Sequence, residues 1–250
     1  MSVDLLELVI AAHGGLDVWE GAEQVSVDLS SGGFAFASKL QGRALRDLRA
    51  TISTRGQHVV LSPYPEPGQR GILEQDGTVR IESDDGAVIE TREHARDAFR
   101  GLRHQLWWDR LDILYFATYA LWNYVSTPFV FARDEYEVTE LNPWSENGEQ
   151  YRRLAVTFPP AVHTHSCDQV FYIDANGLIR RHDYTAEPIG GWANAAHYCS
   201  EHRSFEGLIV PTRRRVYPRK SNNEPRGGPL LVWIDVSHAA IGRQRPSNEP

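Results

Sequence analysis

Residues 107–125 read WWDRLDILYFATYALWNYV, and what covers this stretch decides the fold. Its apolar residues recur at helical spacing on more than one face: Leu111, Leu114, Leu121 and Val125 run along one side, and Trp108, Tyr115, Tyr119 and Trp122 along another. A helix that is apolar all round has to be enclosed all round. A bilayer is a poor enclosure, because a spanning helix needs ~20 mostly apolar residues and Asp109, Arg110 and Asp112 occupy the first turns here. The cover therefore comes from the rest of the chain, or from a ligand.

The rest of the chain is mostly strand-like. Residues 2–12 place Leu5, Leu6, Val9 and Ile10 at helical spacing, and Gly14-Gly15 ends the pattern. From Val25 the texture changes to period two, in VSVDLS, FAFASKL (34–40), ALRDLRATIST (44–54) and HVVLS. Three short strands follow at 71–74, 78–82 and 87–90, joined by Asp76-Gly77 and Asp85-Gly86, dipeptides that favour hairpin turns. The proline-rich 63–68 segment reads as a surface loop. A short helix at 93–99 precedes the long one, which Pro128 stops. Strands resume at 136–141, 151–158, 167–173, 178–185, 195–205, 208–217 and 230–237, with hairpin turns at Asn147-Gly148 and Asn176-Gly177. Residues 219–229 form a polar loop, and 243–250 a frayed tail. The expected fold is mainly β: one domain over residues 1–250, a curved antiparallel half-open barrel wrapped around a central apolar helix that acts as a lid, with an apolar pocket between them.

Bulk properties bound the function. The net charge of -7 argues against a nucleic-acid partner. The charge is uneven, with 13 basic and 24 acidic side chains in residues 1–150 against 13 and 9 in residues 151–250, which leaves room for a local anion site in the second part. Cys167 and Cys199 form neither a disulfide framework nor a CxxC motif. Asp4 and Glu7 stand where a signal peptide carries Lys or Arg, so a cytoplasmic protein without stable membrane insertion is expected.

An N-terminal helix, antiparallel strands, one long apolar helix and further strands, with AAHGGLDVWEGAEQV (11–25) as the most characteristic local run, resembles the lipoprotein-carrier (LolA/LolB-like) superfamily over roughly residues 2–238. The resemblance implies a half-open β-barrel whose concave apolar face holds acyl chains under a helical lid.

The richest polar stretch is HTHSCDQ (163–169), leading into VFYIDANGLIRRHDY. On a strand, His163, His165 and Cys167 share a face with Gln169 and Phe171, and a hairpin at Asn176-Gly177 brings His182 opposite Gln169 or Phe171, with Tyr184 on the same side. Three readings stand: satisfied core or surface histidines, a His-x-His metal site, or a general acid or base. The spacing lacks HExxH and paired cysteines, so no metal or other cofactor is assigned. His182, His165 and Tyr184 are the candidate catalytic residues, with Asp183, and Asp168 beside it, to orient His182. His197 and His202, five apart, are expected to face opposite ways. In the run Arg213-Arg214-Arg215, Arg213 and Arg215 share one face, and a guanidinium there suits a carboxylate or phosphate on a greasy ligand. Trp108, Tyr115, Tyr119, Trp122, Phe171 and Arg213 are the candidate ligand-binding residues. The function expected is binding of a hydrophobic small molecule or acyl chain; the alternatives are an enzyme (cyclase, isomerase or hydrolase) using histidine chemistry in the same pocket, and an interaction module with a collapsed cavity.

Overall fold

The computed structural model describes residues 4–101 and 103–243. Thirteen strands form one antiparallel sheet: β1 (Gln24–Gly32), β2 (Leu48–Ser53), β3 (Val59–Ser62), β4 (Gln69–Leu73), β5 (Val79–Ser83), β6 (Val88–Arg92), β7 (Glu137–Glu146), β8 (Glu149–Thr157), β9 (Asp168–Ile173), β10 (Ile179–Thr185), β11 (Asn194–Phe205), β12 (Leu208–Pro218) and β13 (Val232–Gly242). Their spatial order is β6-β5-β4-β3-β2-β1-β13-β12-β11-β10-β9-β8-β7. Two meanders thus run outward from the central β1–β13 pair, and the sheet does not close: β6 and β7 stand at its two edges. Alternation sets which face is buried, as in β1, where Val25, Val27 and Leu29 point inward. Asn147 and Gly148 both adopt positive φ, the requirement of the two-residue turn whose twist matches a β-hairpin.

Among the described residues, five α-helices and two 3-10 helices (Ala95–Phe99 and Phe129–Ala132) accompany the sheet: α1 (Leu5–Ala12), α2 (Leu16–Glu20), α3 (Phe34–Ala37), α4 (Arg103–Leu106) and α5 (Arg110–Ser126). Helix α5 bridges the chain between β6 and β7 and packs against β2 to β5. Every residue of it except Arg110 and Val125 is buried, as its all-round apolar pattern requires. It starts later than Trp107 because Asp109 caps it: the Asp109 carboxylate accepts from the amides of Leu111 and Asp112, and Asp112 accepts from the Asp109 amide. Asp112 is a buried carboxylate, paired with Arg92 at 2.7 Å and Arg103 at 3.0 Å. Burial raises its pKa, and the two guanidiniums oppose that rise.

Two expectations are corrected. The FAFASKL segment is no strand: Phe34–Ala37 is the single turn α3, whose first two amides donate to the carbonyls of Leu230 and Leu231. Phe36 thereby enters the core while Phe34 stays exposed. The expected strand at 44–54 begins only at Leu48, because Asp47 takes a positive φ of 49° and receives the Ser30 hydroxyl. Of the tail expected at 243–250, residues 244–250 lie outside the described residues.

Helix and sheet meet closely at Gly71 on β4. A Cβ there would lie 2.6 Å from Tyr64 Cδ1 and would overlap the side chain of Leu114 on α5. Gly71→Val is therefore expected to lower stability by about 1–3 kcal/mol through overpacking, read as a lower urea midpoint.

Candidate functional site

Between α5 and the concave side of the sheet lies a cavity of about 610 Å³, within the roughly 300–1,000 Å³ of small-molecule sites. One stripe of α5, Phe116, Ala117, Ala120, Leu121 and Tyr124, forms a wall, at the spacing of a single helical face. The facing wall comes from β1, β12, β13 and the start of β11, including Leu29, Ala195, Val216 and Ile234. Two alanines in an otherwise bulky helix leave the space open. Phe34 and Trp192, both exposed, flank the opening.

His165 and Tyr184 line this cavity together. Their rings stack at 4.1 Å with an interplanar angle of 5°. His165 Nδ1 bonds the Tyr119 hydroxyl at 2.9 Å and Nε2 the Tyr124 hydroxyl at 2.8 Å, and Tyr124 meets Tyr184 at 3.1 Å. Complete burial, aided by the charge of Arg96, pulls the His165 pKa down to about 3. The ring is thus neutral near pH 7, donating through one nitrogen and accepting through the other. His163 is held in the same manner one helical turn away, Nδ1 to the Tyr115 hydroxyl at 2.8 Å. Two extended residues advance ~6.6 Å and four helical residues ~6 Å, so His163 and His165 match Tyr115 and Tyr119 as an extended segment runs beside α5. That segment precedes β9, and Cys167 at its end is exposed. Among the described residues, no three His, Cys, Asp or Glu side chains converge as metal ligands would.

His182 lies deeper. It pairs with Phe171 across β9–β10 and stacks on its ring at 4.2 Å, and its Nε2 bonds the Gln169 side-chain oxygen. His182 and Phe171 border a separate void of only about 20 Å³, shared with Cys199 and Arg214. Asp183 cannot orient His182, because successive strand residues point to opposite faces: its carboxylate takes Arg181 at 2.7 Å and the Tyr172 hydroxyl at 2.9 Å. Asp168 is exposed and accepts from Thr157.

The aromatic residues on the other faces of α5, and Trp108 just before its N-terminus, support the helix and do not line the large cavity. Trp122 donates to the carbonyls of Ser53 and Gly56. Trp108 donates to the His104 carbonyl and packs on Phe99 and Phe116. Tyr115 and Tyr119 are occupied by the two histidines.

Arg213 turns outward to Glu201 at 3.0 Å. The inward member of the arginine run is Arg214, which donates to the Tyr124 carbonyl and to Cys199 Sγ. His197 and His202 do not oppose each other. Glu201, at φ 55°, interrupts the alternation of β11; both rings have buried nitrogens, and His202 lies edge-on to His13. Sequence reasoning missed Phe34, Trp192, Lys39, Arg219 and Arg226, all on the cavity wall. The sequence signal for the wall itself was the pair of small residues, Ala117 and Ala120, on one face of a bulky helix.

No protein-family model matches the chain, and no curated protein does. Solved structures do. A DUF1329 family protein from Desulfovibrio piger aligns at TM-score 0.52 and 14% identity, over 98% of this chain and 93% of that one. A LolA superfamily protein from Nitrosomonas europaea aligns at 0.51 and 13%, over 95% and 93%. An outer membrane lipoprotein-sorting protein domain from Vibrio parahaemolyticus aligns at 0.51 and 8%, over 98% and 93%. At these identities the likeness establishes the fold: this chain has the LolA-like open β-barrel.

His165, His182 and His197 are all held neutral by burial, with pKa values below the ordinary 6.5. As pH falls below about 6.5, the unfolded chain takes up protons that the folded chain refuses, so stability falls with pH, by up to about 1.4 kcal/mol per pH unit for each such histidine. His197, whose ring nitrogens have no hydrogen-bond partner among the described residues, isolates the effect. His197→Phe is expected to flatten the stability profile between pH 6 and 4.5 by about that amount, measured by urea unfolding at successive pH values.

Proposed function

We propose that this LolA-like chain binds a hydrophobic small molecule or an acyl chain in the cavity between α5 and the concave sheet. The observation that carries the reading is the cavity itself. A helix with nearly every residue buried leaves one stripe, centred on Ala117 and Ala120, facing empty apolar space instead of sheet. Filling that space removes apolar surface from water, at ~25 cal/mol per Å². The neutral His165–Tyr124–Tyr184 group supplies polar atoms on the cavity wall, where it can orient a ligand oxygen. A cytoplasmic setting belongs to the same proposal and rests on two free thiols, Cys167 and Cys199, which a reducing compartment preserves. No helix among the described residues is long and apolar enough to cross a membrane.

The enzymatic alternative draws no support from this arrangement. Its leading base, His182, is outside the cavity, and both nitrogens of His165 are engaged by tyrosines.

Titration with an environment-sensitive apolar dye, displaced by long-chain alcohols, tests the proposal. Saturable binding is expected. Ala120→Trp, which fills the cavity from the helix side, is expected to weaken binding at least ~tenfold while the protein stays folded by circular dichroism. Unchanged binding in that variant would refute the site.

A further inference from the structure

The charge on the cavity wall narrows the class of ligand, an inference that rests on the binding function proposed above. The charged side chains lining the cavity are Lys39, Arg219 and Arg226, and no Asp or Glu lines it among the described residues. An all-cationic wall stands out in a chain of net charge -7.

The three cations differ in what they already hold. Arg219 is engaged, by Asp183 at 3.5 Å and by the Asn223 side chain. Lys39 is only 8% exposed, and its ammonium donates to one neutral acceptor, the Gln105 carbonyl. Two of its three donors are left over, and among the described residues no carboxylate pairs with it. Burial lowers its pKa, the mark of a desolvated cation without a counter-charge. Arg226 is exposed at the opening; its backbone amide bonds the Pro218 carbonyl at 2.7 Å, and among the described residues its guanidinium has no ion-pair or hydrogen-bond partner. For Lys39, a cation taken out of water without a counter-charge is costly, and a ligand bringing a negative charge relieves that cost; Arg226 offers the same ligand a solvated guanidinium.

We propose that the ligand is an amphiphile with an anionic headgroup, a carboxylate or a phosphate monoester. Its chain fills the apolar cavity and its headgroup meets Lys39 and Arg226. A neutral hydrophobe of the same length would fill the cavity and leave both cations unmatched. The headgroup accepts charge-assisted hydrogen bonds from an ammonium and a guanidinium, which are stronger than neutral ones and, for the guanidinium, bidentate.

The test compares ligands of one chain length on the full chain: dodecanoate, dodecyl phosphate and dodecanol, with inorganic phosphate as a fourth arm. Dodecanoate and dodecyl phosphate are expected to bind about tenfold or more tightly than dodecanol. In the Lys39→Gln, Arg226→Gln double variant the ratio should fall toward one while dodecanol affinity holds. The Arg226→Gln single variant changes only an exposed side chain and should show part of the loss even if the double variant folds poorly. Equal affinity for acid and alcohol in the wild-type chain, or a preference that survives both substitutions, would overturn this inference and leave the binding function standing. Inorganic phosphate binding as tightly as dodecyl phosphate would also overturn it, since the site would then read a free anion. Failure of all three chain-bearing ligands to bind would remove the binding function and this inference with it.

Discussion

A helix enclosed on every side needs partners for the polar atoms it carries, and this constraint, met by the buried polar side chains of α5 except at the Asn123 Oδ1, organises the molecule. Asp112 is met by Arg92 and Arg103, and Trp122 by the carbonyls at the turn after β2. Tyr115 and Tyr119 are met by His163 and His165, and the Asn123 amide by the carbonyls of Tyr119 and His163. Leaving such a group unpaired costs about 1–3 kcal/mol, so each partner also fixes where its own segment must lie. The segment from His163 to Cys167 runs beside the helix for this reason, although it belongs to no strand.

The same enclosure explains the cavity. The sheet is open, and its first meander, β2 to β5, packs on one side of α5. On the opposite side the curved wall of β12, β13 and β1 stands off from the small side chains of Ala117 and Ala120, and that gap is the cavity. The polar groups that reach it are neutral inside and cationic toward the rest of the wall. His165, Tyr124 and Tyr184 share hydrogen bonds and hold no net charge near pH 7, whereas Lys39 and Arg226 keep unfilled donors. An apolar cavity with cations on its wall suits a molecule with a chain at one end and an acid at the other.

Much of this architecture was legible one residue at a time. Period-two alternation located the strands, Asn-Gly and Asp-Gly marked hairpins, and the apolar run around Leu114 announced a helix that needed complete cover. Local chemistry also placed the stop at Pro128. The failures share a cause: each depended on direction as well as periodicity. Arg213 and Arg215 were rightly set on one face and Arg214 on the other, but the choice of inward face went to Arg213, and the fold turns Arg214 in. Asp183 was paired with His182 against the alternation of the strand itself. The positive φ of Glu201, at which the burial alternation of β11 breaks while its register with β12 holds, has no signature in residue type.

What the amino-acid order determined by itself is therefore a set of elements and a demand: open antiparallel strands, one apolar helix, and the requirement that the second be wrapped by the first. Short-range sterics and hydrophobic periodicity suffice for that. Which stripe of the helix meets sheet and which meets a void, and which histidines and cations border that void, was decided only when distant strands closed around it. An apolar face is equally content against a β-sheet or an acyl chain, so its residues alone do not distinguish the two. Long-range packing does, by placing Tyr115, Tyr119 and Trp122 against protein and leaving Ala117 and Ala120 facing open space.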